Sequence, residues 1–241
     1  MENLTGVMGT GPDDVWTTGD QGTVLHWNGK TWTMATQTAD TVLLAVWAGG
    51  PSDVWIVGID TSGGSTGYVL HWDGTAWGDA DVPTSTSLWE VWGSGPHDVW
   101  MVGDNMMGTG LVLRGDGTTG NPFNAVNYKG PGARGIWGTA SDDVWVAPYQ
   151  GTIQHWNGSV WSTTVAPAGA SLLGIAGSAP NDVWAVGLGG VVFHYDGGVW
   201  SASHTGTTAV LWSVWSTGAD DAWVAGAAGT VLRWNGSAWS H

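Results

Sequence analysis

The tripeptide Asp-Val-Trp, once Asp-Ala-Trp, recurs six times along this chain, ending at Trp16, Trp55, Trp100, Trp145, Trp184 and Trp223. The steps between successive copies are 39, 45, 45, 39 and 39 residues. A fixed period of about 40 residues constrains the fold more than any composition does, because one supersecondary unit is being repeated. Within a unit the pattern reads Leu43-Leu-Ala-Val-Trp47, a turn at Gly50-Pro-Ser-Asp53, Val54-Trp-Ile-Val-Gly58, Tyr68-Val-Leu-His-Trp72, a turn at Asp73-Gly74, and a short segment reaching Trp77. These are four short runs rich in Val, Trp and Thr, bounded by Gly, Pro, Asn and Asp, which is the signature of strands. Long amphipathic helices are excluded by the 41 Gly and by a charged fraction of only 10%, which leaves few good helix formers.

Asn28-Gly29, Asp73-Gly74, Asn157-Gly158, Asp196-Gly197 and Asn235-Gly236 read as two-residue type I′ turns joining strands three and four. In the first unit that turn pairs Leu25 with Trp32 and His26 with Thr31, and bulky residues fall on both faces of the sheet. A sheet with two apolar faces needs a neighbour on each side, and six such sheets satisfy one another in a ring. The expected fold is therefore all-β: a six-bladed β-propeller with four antiparallel strands per blade, in a single domain spanning 1–241 with repeats starting near 4, 43, 88, 133, 172 and 211. A parallel β-solenoid fits less well, since it carries no hairpin of this kind in each repeat. The repeats run from a first strand to a fourth, so closure without an exchanged strand is expected, with blade 6 packing on blade 1. The third residue of strand one is Gly6, Ala45, Glu90, Gly135, Gly174 or Ser213. Small residues there suit a crowded axis, and Glu90 is expected to project into a central channel.

Of the 21 Trp, six lie in the tripeptide, four end strand one, four follow the strand-three His or Arg, and five lie in strand four. Only Trp89 and Trp212 fall outside the pattern. The repeated ones read as core, whereas those two carry a functional reading because exposed aromatics mark recognition surfaces. The repeated Asp (Asp14, Asp53, Asp98, Asp143, Asp182, Asp221) reads as a turn brace accepting backbone N–H groups. His26, His71, His155 and His194 share one strand-three position, which Arg114 and Arg233 occupy in units 3 and 6. With one His and one Asp per unit, no metal site is implied, and no other cofactor. Clustered Arg, as a sialidase-like site would need, is missing, so no enzyme is expected.

From the tripeptide Trp to the strand-three His or Arg the spacing is 10 residues in four units, 16 in unit 2 and 14 in unit 3. The extra length falls at Ile59–Gly67 and Asp104–Gly110, so one rim of blades 2 and 3 is elaborated, and function commonly sits on such loops. Unit 3 also loses its strand-four Trp and is irregular over Asn121–Gly132. Five Lys and Arg against twenty Asp and Glu give a formal charge of −15, which disfavours nucleic acid and anionic membrane as partners. No apolar run is long enough to insert in a membrane. Cysteine is absent, so redox chemistry says nothing of the compartment. The acidic, Gly/Ser/Thr/Trp-rich make-up suits a bacterial extracellular or cell-surface protein, with a cytoplasmic one as the alternative.

The order Leu-x-x-Val-Trp-Gly, Asp-Val-Trp-x-Val-Gly, Gly-Thr-Val-Leu-His-Trp, Asn-Gly-x-x-Trp, nearly complete in Thr23–Trp32 and Leu211–Trp239, resembles tectonin-type repeats. That resemblance spans the chain and implies a β-propeller lectin with repeated glycan sites; related repeats occur in bacterial sensor propellers. The expectation is a non-enzymatic multivalent lectin for cell-surface glycans or glycoconjugates. Its candidate residues are Trp89, Trp212, Arg134, Asp60, Tyr68, Asp104, Asn105, His26, His71, His155 and His194. The alternative is a protein-interaction or sensor scaffold.

Overall fold

In a computed structural model the described residues are 3–64, 66–80, 82, 86–105, 108–118, 123–150, 152–164 and 170–241, with Thr164 described in its backbone alone. They form two compact units, Met1–Tyr128 and Lys129–His241. Each unit holds three four-stranded antiparallel sheets, and every sheet is made of four strands consecutive in the chain. The first unit contains β1 (Leu4–Gly11), β2 (Asp14–Gly19), β3 (Thr23–Trp27) and β4 (Trp32–Gln37), then β5 (Thr41–Gly50), β6 (Asp53–Asp60), β7 (Thr66–Trp72) and β8 (Trp77–Asp79), then β9 (Ser87–Gly95), β10 (Asp98–Asp104), β11 (Gly110–Gly115) and β12 (Asn124–Ala125). The second contains β13 (Ala133–Ala140), β14 (Asp143–Pro148), β15 (Ile153–Trp156) and β16 (Trp161–Thr164), then β17 (Leu172–Ala179), β18 (Asp182–Gly187), β19 (Val192–Tyr195) and β20 (Trp200–Ala202), then β21 (Leu211–Gly218), β22 (Asp221–Gly226), β23 (Val231–Trp234) and β24 (Trp239–Ser240). No sheet takes a strand from another repeat, as the register of the repeats implied. In the expected irregular stretch, 124–125 form a short fourth strand, while 121 and 122 lie outside the described residues.

The second strands are the core. Val54, Trp55, Ile56 and Val57 are all fully buried, because β6 has a neighbouring strand on each edge and a neighbouring sheet on each face. The aromatic pattern explains how consecutive sheets lock. The tripeptide Trp of one sheet meets the strand-four aromatic of the next edge to face: Trp16 on Trp77 at 5.6 Å, Trp145 on Trp200 at 5.7 Å, Trp184 on Trp239 at 5.7 Å. Such T-shaped pairs are worth about 0.5–1.5 kcal/mol beyond the area they bury. In the third sheet, where the strand-four Trp is missing, Phe123 fills the place and meets Trp55 at 5.3 Å.

The strand-three to strand-four turn departs from expectation. Trp27 pairs with Trp32 and His26 with Thr33, so the loop has four residues, Asn28 to Thr31, and is not a type I′ turn. Gly29 has φ of +85°, whereas Asn28 is not among the residues with positive φ. The loop is held by Asn28 Oδ1, which accepts the N–H groups of Lys30 and Thr31 at 3.1 and 3.0 Å. Asp73, Asn157, Asp196 and Asn235 do the same in their sheets. This slips the pairing by two residues, which moves Thr31 into the loop and leaves Leu25, Trp27 and Trp32 on one face as expected.

Each first strand also carries two bulges. The pairing skips Thr5, Leu44, Trp89, Arg134, Leu173 and Trp212 near its start, and Thr10, Gly49, Ser94, Thr139, Ser178 and Thr217 near its end. An extra residue at such a point is freed from the ladder and its side chain is re-aimed. The two Trp outside the repeat pattern are therefore bulge residues.

The tight turn between strands two and three yields a test. A Cβ on Gly190, φ +75°, would lie 2.0 Å from the Thr207 carbonyl oxygen, whereas one on Gly229, φ +72°, meets nothing within 4 Å. Gly229→Ala should cost about 1 kcal/mol, the left-handed backbone penalty alone. Gly190→Ala should cost ~3 kcal/mol or more, because the clash is with main chain. Ala228, held at φ +55°, should be stabilised by about 0.5–1 kcal/mol as Ala228→Gly. Urea denaturation of the three variants checks the order, and equal costs for the two alanines would refute it.

Candidate functional site

The tripeptide carboxylate organises each sheet. Trp16 Nε1 donates to Asp14 Oδ1 at 3.0 Å, and strand pairing sets His26 opposite Trp16. His26 Nε2 lies 2.7 Å from the same oxygen, and its ring stacks on the indole with centroids 4.0 Å apart. Since a carboxylate only accepts, this His carries its proton on Nε2. His71, His155 and His194 make the same contact at 2.8, 2.6 and 2.7 Å, although the Trp145 indole N–H beside His155 is buried without a partner among the described residues. In the two remaining sheets Arg114 and Arg233 replace the His, with Nε 2.5 and 2.8 Å from Asp98 and Asp221. Their guanidinium carbons stand 4.6 and 5.4 Å over Trp100 and Trp223.

The other carboxylate oxygen takes the hydroxyl of the second bulge residue. Thr10, Ser94, Thr139, Ser178 and Thr217 each donate to the Asp four residues on. In the second sheet this position is Gly49, and buried Asp53 Oδ2 has no hydrogen-bond partner among the described residues. The Asp is thus a brace, but through side chains and not through the backbone N–H groups expected from sequence. Serine or threonine four residues before the Asp was the legible signal for it. The His residues stand inside these braces, His71 largely buried and His26, His155 and His194 partly exposed.

Burial pushes the carboxyls of Asp143 and Asp182 upward, yet both stay below the ordinary carboxylate range. Hydrogen bonds from His155 and Thr139 in one case, and from Ser178, His194 and Ser216 in the other, outweigh it. Asp221 is held low first by Arg233 and then by Thr217. A depressed folded-state pKa contributes stability that is full above the unfolded value near 4 and is lost as pH falls below it. Unfolding at pH 7, 4 and 2 should therefore show a loss confined to the acid side. Asp182, which also accepts Ser216 of the next sheet at 3.1 Å, should cost about 3 kcal/mol as Asp182→Ala, through the donors left unpaired. A loss under ~1 kcal/mol there would remove the brace from the account.

On the opposite edge of the first unit lie the long connections. The extra residues extend hairpins: Asp60 pairs with Thr66 and Asp104 with Gly110. Trp89 Nε1 donates to Asp104 Oδ1 at 2.6 Å, and Asn105 Oδ1 closes the third sheet's tip by accepting Thr109 N–H at 2.9 Å. Asp60 accepts Ser62 N–H at 2.7 Å, and the Ser62 side chain and backbone hold its carboxyl low. Tyr68 donates to Asp79 at 2.5 Å, and burial first, then that bond, pushes its phenol up to about 12. Arg134 lies in the second unit, 5.3 Å from the Tyr149 ring, and Trp212 is exposed there. The structure thus joins Trp89 to Asp104 and sets Tyr68 near Asp60. It does not bring the remaining candidates to one point. Glu90, standing where the other first strands carry small residues, is raised to about 8 by burial.

Sequence reasoning missed a cleft on this edge, where the first and second sheets meet. Its volume is about 600 Å³, and Asp20, Gln21, Gln37, Asp40 and Thr61 line it. Asp40 adopts φ +57° between β4 and β5, and its carbonyl accepts both the N–H and the hydroxyl of Thr61 at 2.8 Å. Asp20 follows β2 and accepts Asn3 Nδ2 at 2.9 Å. No Lys or Arg lines the cleft. The signal was absent from the sequence because Asp20 and Asp40 come from different repeats and break no pattern.

No family model matches the chain, and no curated protein matches it. Solved structures do. YCF48 bound to D1 peptide superposes with a TM-score of 0.74 at 17% identity, covering 99% of this chain and 80% of that one. YCF48 from Cyanidioschyzon merolae gives 0.72 at 14%, covering 99% and 84%. The WD40 repeats of RRP9 give 0.73 at 11%, covering 98% and 77%. With six four-stranded sheets, these neighbours make the chain an all-β six-bladed β-propeller related in architecture to WD40 proteins. The resemblance to tectonin repeats found this architecture through blade-building residues. The expected glycan partners are corrected: among these neighbours, YCF48 is bound to a peptide and none is described with a glycan. No helix among the described residues is long and apolar enough to cross a membrane.

Proposed function

We propose that this chain is a non-enzymatic protein-interaction scaffold, a propeller domain spanning 1–241 that takes a basic peptide segment of a partner protein on the loop edge of its first three blades. The observation that carries this reading is the cleft of about 600 Å³ that Asp20 and Asp40 line with no cationic side chain beside them. Peptide recognition by YCF48, whose fold this chain shares, supports the class of ligand. The formal charge of −15 adds a long-range attraction that speeds encounter with cations and is screened by salt. Gln37 and Thr61 supply amide and hydroxyl groups suited to the backbone of an extended segment, and the hairpin tips bearing Asp60 and Asp104 continue the acidic edge beyond the cleft.

A Lys/Arg-rich nonapeptide, with a Glu-rich one as control, tests this by fluorescence anisotropy. The basic peptide should bind, and binding should weaken by about tenfold or more between 50 and 500 mM salt. The double substitution Asp20→Asn with Asp40→Asn should weaken it by at least ~10-fold while leaving the unfolding midpoint in place, since Asn tolerates the left-handed backbone at position 40. Equal binding of the two peptides, or indifference to the double substitution, would discard the cleft as the site.

A further inference from the structure

At the tripeptide Trp and at the strand-three position two residues before the His or Arg, the sixth sheet departs from the other five. Trp223 is 38% exposed, whereas Trp16, Trp55, Trp100, Trp145 and Trp184 at the same position are at most 3% exposed. Val231 on the adjacent strand is 49% exposed, against at most 1% for Val24, Val69, Val112, Ile153 and Val192. Trp215 is 58% exposed where Trp47 is 7%, and Trp212 is 55% exposed. Strand pairing puts Trp215, Trp223 and Val231 on one face, and three large apolar side chains left uncovered together are unusual for a surface with no partner.

What covers this face elsewhere is known from within the chain. Trp184 packs against Trp234 and Trp239 of the following sheet, Trp145 against Tyr195 and Trp200, Trp16 against Trp72 and Trp77. In each case the occupant is the next repeat in sequence, presenting the aromatic that ends strand three and the Trp of strand four. Trp239 adds a hook, its Nε1 donating to Ser203 Oγ of the connection before it at 2.9 Å. Trp223 has the same residue type in the same brace, with Arg233 behind it, and lacks only the two aromatics in front.

We propose that the exposed face of the sixth sheet is a docking surface for one further four-stranded blade of the same Asp-Val-Trp repeat, seated as each blade sits on the one before it. The chain has no cysteine, so Val231→Cys creates a unique thiol in the middle of this face. Its labelling by a disulfide reagent is compared in the 241-residue protein and in a protein extended at its C-terminus by a second copy of residues 203–241, which retains valine in the copy. The thiol should react at the rate of an exposed cysteine in the first and at least ~10-fold more slowly in the second. Hydrogen exchange should show the appended repeat protected.

Equal labelling in the two proteins, with the appended repeat folded or unfolded, overturns the proposal, since a face built for a blade would order and hold it. Protection already present in the 241-residue protein also overturns it. If that protection is independent of concentration, the chain covers the face itself; if it rises with concentration, a second copy does. Failure of peptide binding at the acidic cleft would leave this test untouched.

Discussion

The structure depends on one shared carboxylate per blade. In the first and fifth blades an Asp at the turn between strands one and two accepts an indole N–H and an imidazole N–H on one oxygen and a hydroxyl on the other, which fixes the rotamer of the largest side chain in the sheet. The other blades keep part of this set, with Arg for His in the third and sixth and no hydroxyl in the second. In the fifth blade all of these donors are present, together with Ser216 from the sixth. A buried acceptor with this many donors is costly to disturb, because each donor would lose its partner in a place water cannot reach. The arrangement also explains why Arg can replace His in two blades: both present a planar donor edge to the oxygen and a flat face to the indole.

With the indole fixed, the packing between consecutive sheets follows. The T-shaped contact to the next strand-four aromatic needs the Trp edge in one orientation, and the brace supplies it. The third blade shows how far this constraint reaches. Gly115 stands where other blades have an aromatic, and a Cβ there would lie 2.7 Å from the Phe123 ring. The chain has thus cleared a position in strand three so that a residue from an irregular segment can restore the edge contact with Trp55. Conformity is regained by different residues because the geometry being satisfied belongs to the neighbouring sheet.

Fold was legible because repetition multiplies a weak strand signal sixfold and because face alternation survives errors of two. The strand-three hairpin shows this: the turn type was misread, yet Leu25, Trp27 and Trp32 remained on one face. The brace was less legible. His26 and Asp14 are 12 residues apart and meet only through the pairing of two strands, so each was read alone, the one as a polar donor and the other as a turn residue. Thr10 was overlooked for a related reason, since a bulge cannot be seen without the partner strand. The cleft was least legible of all. It is made by Asp20 and Asp40 of successive repeats, and a periodic reading discards what is not periodic.

That contrast bears on how such a scaffold acquires function. Residues that recur in every blade are committed first to the brace and the seams, the four His and the tripeptide Trp among them. Recognition has to use positions that the repeat leaves free, and in this chain those are the connections between strands two and three and between blades. The backbone there is also where departures occur: Gln21 and Asp40, two of the three non-glycine residues with positive φ among those described, both line the acidic cleft. Left-handed backbone at non-glycine residues persists only where surrounding structure enforces it. At Asp40 that enforcement comes from the Thr61 bonds to its carbonyl, so the extended hairpin of the second blade holds in place the carboxylate that the first and second blades present together.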